Sequence, residues 1–227
     1  MNGPQNSIFG ERFKWRLIVS NPQVPRIYFL PKIHKNGDEV RQIVSNVSAP
    51  MEKIAKWLVR EISSLPRIES LSVKNSFEFL DIIKDLIIDE DEMMISFDVE
   101  SFFPSVPIPE ALQALEQHFL KHHLPTEKLN VYIKAARLCM EQNFFQFRNE
   151  YYKIERGTSM GNSLSPILAK AFLASLELKL KNENKLPRFW ARYVDDVFAI
   201  VKRSERENLL HILNEQSETI NFTPSNP

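Results

Sequence analysis

The sequence predicts an α+β fold whose centre is a split βαβ antiparallel sheet with helices on one face. Three observations predict it. Hairpin signals recur along the chain. From residue 93 onward the core order is strand, helices, hairpin, helix, strand. The helices between these strands can cover only one sheet face, which disfavours a doubly wound parallel sheet.

The first element is a hairpin. Residues 24–30 alternate and carry β-formers, the turn-forming Lys35-Asn36-Gly37-Asp38 follows, and residues 40–45 are extended again. Ala49-Pro50 opens a helix over 51–63, where Ile54, Leu58 and Ile62 recur every four residues. Residues 76–88 repeat the amphipathic pattern with Phe79, Ile82, Ile83 and Leu86. Residues 93–97 form a short, almost wholly apolar strand that delivers Asp98 at its C-terminal end. Helical patterns over 108–122 and 126–141 lead to a second hairpin, 144–148 and 151–155 around Asn149-Glu150. A glycine-marked loop, 157–163, feeds a helix over 166–181 with Ile167, Ala171, Ala174 and Leu178 on one face. Two apolar runs, 188–194 and 197–201, enclose Asp195-Asp196 as a tight hairpin. A helix over 205–216 and a strand over 220–223 complete the order, and 1–6 and 224–227 read as loose ends.

At 227 residues and 43% hydrophobic content, with 16 Phe, the chain can build one large core or two small ones sharing an interface. Lys plus Arg and Asp plus Glu each total 29, so the net charge is zero. The charges are nonetheless segregated: basic residues dominate 11–60, and acids dominate 76–110, where Lys84 is the lone cation. A cationic wall beside an anionic pocket suits a phosphate-rich ligand that arrives with metal ions. Most acids of 81–92 read as a solvated helix face, and Asp98 stands apart from them. The single Cys139 excludes an internal disulfide and points to a reducing compartment, and there is no Cys/His spacing for structural zinc. No apolar run approaches the ~20 residues of a membrane span, and no signal-peptide pattern opens the chain, so a soluble protein is expected.

Nucleotidyl transfer needs two divalent cations roughly 3.5–4 Å apart, held by carboxylates from different segments. Asp98 and Asp195 each end an apolar strand, where nothing in the strand compensates their charge. Successive side chains on extended backbone oppose each other, so Asp195 is expected as the principal ligand of its pair unless the turn bends Asp196 toward the same point. Taken alone, Asp-Asp in a hairpin is also ordinary turn chemistry.

Ordered segments resolve that ambiguity. Phe97-Asp98-Val99-Glu100-Ser101-Phe102-Phe103, then Gly157-Thr158-Ser159-Met160-Gly161-Asn162-Ser163-Leu164-Ser165-Pro166, then Tyr193-Val194-Asp195-Asp196 resemble reverse transcriptase motifs A, B and C. Upstream, Leu30-Pro31-Lys32-Ile33-His34-Lys35 and Val40-Arg41-Gln42-Ile43-Val44-Ser45 resemble the fingers motif of Penelope-like retroelements, relatives of telomerase reverse transcriptase. The resemblance spans about residues 24–223. It implies a right-hand polymerase with an N-terminal extension at 1–23, fingers at 24–92, a ferredoxin-like palm with inserted fingers-side helices at 93–223, and a truncated end at 224–227 without a thumb.

The same resemblance implies Asp98, Asp195 and Asp196 as catalytic residues that, with the Val99 carbonyl, hold two Mg2+ ions, Mn2+ being a possible substitute. It implies Phe103 as the steric gate against a ribose 2′-hydroxyl, Arg41 and Lys32 as triphosphate contacts, and Met160 and Gly161 at the nucleotide. Met160 and Asn162 depart from the Gln and Pro that many relatives carry there. The implied partners are an RNA template, a DNA primer and dNTPs, without a membrane, and nuclear action follows from the family alone. The implied activity is RNA-directed DNA synthesis. The alternative is an inactive reverse-transcriptase-like fragment that only binds nucleic acid, for which a missing thumb is the motive. An RNA-dependent RNA polymerase is disfavoured by Phe103 and by Tyr193-Val194 before the acid pair.

Other residues carry less weight. His118, His122 and His123 read as surface histidines, Trp57 and Trp190 as core. Arg188 and Arg192, flanking the acid hairpin, read equally as primer-backbone contacts or as plain strand arginines.

Overall fold

The computed structural model describes residues 11–32 and 40–224, and the strands among these described residues fall into two four-stranded sheets. The first sheet is built on a hairpin of β1 (Arg26–Pro31) and β2 (Val40–Ser45), in register from Arg26↔Ser45 to Pro31↔Val40. The expected turn at 35–38 and the Ile33-His34-Lys35 stretch lie outside the described residues. The second hairpin, β4 (Phe144–Phe147) and β5 (Glu150–Lys153), joins the same sheet, because β4 runs parallel to β1 at Arg26↔Gln146. The order is β2-β1-β4-β5. Sequence reading foresaw two hairpins but not their union, since a pairing across more than a hundred residues leaves no local trace.

The second sheet is the split βαβ unit. Its strands are β3 (Glu92–Val99), β6 (Phe189–Tyr193), β7 (Asp196–Lys202) and β8 (Phe222–Pro224), in the all-antiparallel order β6-β7-β3-β8. Alternation sorts the side chains of its two central strands by face. Ile95, Phe97 and Val99 of β3 and Val197, Ala199 and Val201 of β7 enter the main core, while Met94, Ser96 and Asp98 point to the other face with Asp196 and Phe198.

Helices supply the rest of that core: α2 (Glu52–Ser63), α5 (Ile108–Lys121), α6 (Thr126–Glu141), α7 (Ser165–Asn182) and α8 (Arg206–Asn214), with short α1 (Glu11–Leu17) and α4 (Phe102–Ser105) beside them. Of these, α7 is central. Leu168, Phe172, Leu176 and Leu180 are buried along one stripe, and Ala169, Ala171 and Ala174 are buried beside them, so the helix is covered nearly all round.

The helix expected over 76–88 stops early, as α3 (Ser76–Ile83). Its start is well specified: the Asn75 side chain accepts from Glu78 N at 2.9 Å, and Glu78 accepts from Lys74 N. None of its residues is buried, and Phe79 touches the sheet only edge-on at Phe198, so too little apolar area is covered to propagate further turns.

Arg188 ties β6 to the start of β3. It donates through Nε and Nη2 to Glu92, each at 2.5 Å, and through Nη2 to the Ile87 carbonyl at 2.6 Å, so it is a bridge within the sheet and not a free strand arginine. The Arg188 hydrogen bonds, helped by the Asp89 N–H, hold the Glu92 carboxyl down to about 2 from its ordinary 4.5. A depressed carboxyl stabilises the fold above its unfolded value and loses that contribution as pH falls through its folded value. The melting-temperature advantage of wild type over Arg188→Met is therefore expected in full above pH 4.5 and to vanish by about pH 2. An advantage that persists at the acid end rejects the ion pair as its source.

Candidate active site

The two central strands of the second sheet bring distant acids together. Their register runs from Glu92↔Lys202 to Phe97↔Val197, and one step further Asp98 stands across from Asp196. Directly opposed residues of an antiparallel pair share a face, here the face turned away from the main core. Asp98 lies within β3 rather than just beyond it, and the chain leaves the strand through Ser101, at φ 46°, into α4.

Asp195 occupies the turn itself. Tyr193↔Asp196 closes the β6–β7 hairpin, leaving Val194 and Asp195 as the two loop residues. A positive φ at the first loop residue only is the pattern of a II′ turn, whose favoured residue is glycine. Here it is Val194, at φ 57°, a conformation that costs a side chain with a branched Cβ about 1–2 kcal/mol or more. The guanidinium of Arg192 donates to the Val194 carbonyl at 2.7 Å.

The three carboxylates interact electrostatically. Burial raises the Asp195 carboxyl above its ordinary value, and the neighbouring charges of Asp196 and Asp98 raise it further. Burial and then the charge of Asp98 raise Asp196 likewise. An oxygen-only, anionic and mutually repelling donor set fits a hard divalent cation. Among the described residues, however, no three His, Cys, Asp or Glu side chains cluster tightly enough to hold a metal ion. The three aspartates nonetheless lie near enough for their charges to act on one another. They share one end of the sheet as a coupled group, with Asp195 held in the turn and Asp98 and Asp196 on strands, and they do not form a closed coordination shell. Val99 is buried and pairs with Phe222, so its side chain belongs to the core and only its backbone is available to the site.

The glycine-marked loop docks between this sheet and the first one. Val44 N donates to the Met160 carbonyl at 2.9 Å, and Ile43 and Met160 form a parallel bridge, so the loop extends the free edge of β2. Gly161, at φ +114°, brings its Cα so near β2 that a Cβ would meet the Val44 oxygen at 2.2 Å. Gly157, at φ +72°, leaves no space either: a Cβ would lie 2.0 Å from the Pro104 oxygen. The next residue, Thr158, donates to the Phe103 carbonyl at 2.8 Å, which fixes the loop to the segment that follows Asp98. Lys32 ends the β1 side of the fingers hairpin, and Arg41 is exposed on β2, on the same strand face as the Ile43 that bridges Met160.

Phe103 is half-buried against Phe102, ring centroids 5.2 Å apart, and lines a cavity of about 780 Å3. Tyr193 and Val194 form part of the same wall, with Arg67 and Lys170 opposite in charge to the acids. Burial and the nearby Arg192 lower the Lys170 ammonium. Sequence reading missed Arg67 and Lys170, and no spacing could have found them, because only the packing of α7 against the 66–74 segment brings them together.

Three further readings are settled by position. Trp57 and Trp190 are core residues as expected. His118 is buried, not a surface residue, because it faces inward on α5 and is hydrogen-bonded to the Pro66 backbone; burial lowers its pKa. Arg192 is buried, with its guanidinium committed to an ion pair with Glu177 and to the Val194 carbonyl.

The sequence profile of the reverse transcriptase (RNA-dependent DNA polymerase) family matches residues 33–223. A search of curated protein sequences finds no match. Among solved structures, apo telomerase from Candida tropicalis superposes with a TM-score of 0.63 at 16% identity, covering 91% of this chain and 44% of that one. Telomerase from Candida albicans in complex with the TWJ fragment of telomeric RNA gives 0.60 at 13% identity, over 92% and 44%. A Candida tropicalis apo telomerase truncated from its C-terminal domain gives 0.57 at 16%, over 92% and 51%. At these identities the likeness is one of fold, and the chain spans about half the length, or less, of the telomerases it matches. The split βαβ sheet with acids at one end, the fingers hairpin bound to the glycine loop, and a family match over most of the chain agree: this protein belongs to the reverse transcriptase family and has a polymerase fingers-and-palm fold related to that of telomerase.

Proposed function

We propose that this chain is the RNA-directed DNA polymerase core of a Penelope-like retroelement, extending a DNA primer on an RNA template with dNTPs. One observation carries the reading: Asp98 stands across from Asp196 on the open face of the sheet, with Asp195 in the adjoining turn, and their charges are coupled. Divalent cations, Mg2+ or in its place Mn2+, would be held by these aspartates and the Val99 carbonyl, and would supply charge neutralisation at the reacting phosphate.

The chain's own residues do the rest. Coupled carboxylates resist all being ionised until a cation joins them, so the site is poised for a phosphate that brings its own metal. Arg41, with planar paired donors, and Lys32 would grip the triphosphate from the fingers hairpin. The loop at Met160 and Gly161, bonded to β2 at Val44, would carry movements of that hairpin to the palm. Phe103 would stand under the sugar of the incoming nucleotide, where its ring excludes a 2′-hydroxyl.

Primer extension on an RNA template, with dNTPs and either cation, tests the reading. No extension, together with retained binding of primer-template, supports the alternative of an inactive nucleic-acid-binding relative. The gate has its own test. Phe103→Ala is expected to shift the dNTP to NTP preference by roughly 10- to 100-fold toward NTP, the range that relief of a steric clash of one small group gives. Unchanged preference in a folded variant removes Phe103 from the gate and leaves it a packing residue.

A further inference from the structure

We infer that the buried Glu177–Arg192 pair is a strut that positions the acid-bearing turn, with Arg192 acting through Val194 to set where Asp195 and Asp196 stand. The inference rests on the proposed polymerase site and assigns positioning residues to it.

The geometry is specific. Glu177 on α7 is 1% exposed and Arg192 on β6 is 2% exposed. Arg192 donates from Nε to Glu177 Oε1 at 2.5 Å and from Nη2 to Oε2 at 2.9 Å, the forked pairing that planar guanidinium and carboxylate allow. Its remaining nitrogen, Nη1, donates to the Val194 carbonyl at 2.7 Å. Glu177 is fully employed as well, accepting from Trp190 Nε1 at 3.1 Å and from Leu71 N at 3.3 Å. The strand backbone is clamped in addition, with Arg192 N donating to Leu71 O at 3.2 Å and Val73 N donating to Arg192 O at 2.8 Å.

Stability alone does not account for such a pair. A buried ion pair is often no more stabilising than apolar side chains of the same volume, so anchoring α7 to β6 has simpler solutions. An apolar pair or a lysine could not hold the carboxylate with two nitrogens and still present a third to Val194. Val194 is also the residue that most needs holding, since its φ of 57° is one that valine disfavours. The strut therefore joins the helix that follows the glycine loop, the 71–73 segment after α2, and the turn that carries two of the three acids.

Two variants separate positioning from structure. Arg192→Lys keeps a cation for Glu177 but gives up the Val194 bond. Glu177→Met combined with Arg192→Met removes both charges, so no buried ion is left unpaired. In each folded variant, amide exchange of the 193–197 segment is expected to accelerate roughly tenfold, and the Kd for Mn2+ to rise roughly tenfold, as loss of one charge-assisted hydrogen bond implies. Exchange in α5 should not change. If primers are extended, kcat should fall by a similar factor while the KM for dNTP stays within about threefold. Glu177→Gln, which keeps Arg192 and its bond to Val194, should disturb the turn less than Arg192→Lys does. Wild-type exchange at the turn and wild-type Mn2+ affinity in folded Arg192→Lys overturn the proposal, as does a Glu177→Gln effect on the turn larger than that of Arg192→Lys. Exchange reports on the turn even in a chain that extends no primer, so failure of the polymerase reading and failure of the strut are separate results.

Discussion

Asparagine at Asp98 or at Asp195 is expected to lower divalent-dependent primer extension by about a thousandfold or more, the scale on which loss of a principal electrostatic contact at a reacting phosphate is felt. The substitution keeps size and removes charge, so its effect isolates the carboxylate. Folding provides the control. Burial and mutual repulsion raise the Asp195 and Asp196 carboxyls, which means that their charged forms are disfavoured in the folded chain. The sign follows directly: a carboxyl raised in the fold contributes most stability below its unfolded value and loses it as pH rises through its folded value. At neutral pH, with no divalent ion added, Asp195→Asn should therefore melt no lower than wild type, and the stabilisation by Mg2+ should shrink. Full extension by either purified variant would falsify the assignment, whereas lost extension with a lowered melting temperature would point to damage elsewhere.

The second large effect concerns Gly157. An alanine there must place its Cβ about where the Pro104 carbonyl already is, at 2.0 Å from the oxygen and 2.3 Å from the carbon, on backbone at φ +72°. Neither obstacle is a flexible side chain end, so relief requires moving the α4 segment that follows Asp98. Overpacking plus a left-handed conformation should cost about 3 kcal/mol or more. Thermal unfolding should register this as a fall of roughly 6–12 °C for a chain of this size. A Gly157→Ala protein that melts within a degree of wild type shows that the loop can relax, and with it the idea that glycine is needed to seat the loop on Phe103 and Pro104.

Strongly periodic segments were legible: 126–141 is helical over the whole expected range, and the strands of both hairpins and of the acid hairpin pair as alternation predicts, whereas the loops of the latter two fall at 148–149 and 194–195, one residue earlier than the turn residues suggested, so that Glu150 and Asp196 stand on strands. Boundaries went astray where packing, not propensity, ends an element, as at α3, which stops once it has nothing to cover. Arg192 was ambiguous for a related reason. An arginine before a hairpin turn looks the same in the chain whether it faces solvent or a glutamate fifteen residues upstream on a helix.

Local chemistry along the chain was enough to establish that apolar strands end in carboxylates, that glycines stand where a backbone must turn or be approached closely, and that the elements follow one another in split βαβ order. These are properties of neighbours, expressed through periods of two and 3.6 residues. Folding alone settled that Asp98 stands across from Asp196, that the glycine loop borders β2, and that Glu177 and Arg192 close on each other beneath the turn. Register, loop docking and buried pairing depend on distances between residues far apart in the chain, and those distances exist only once the core has brought the segments together.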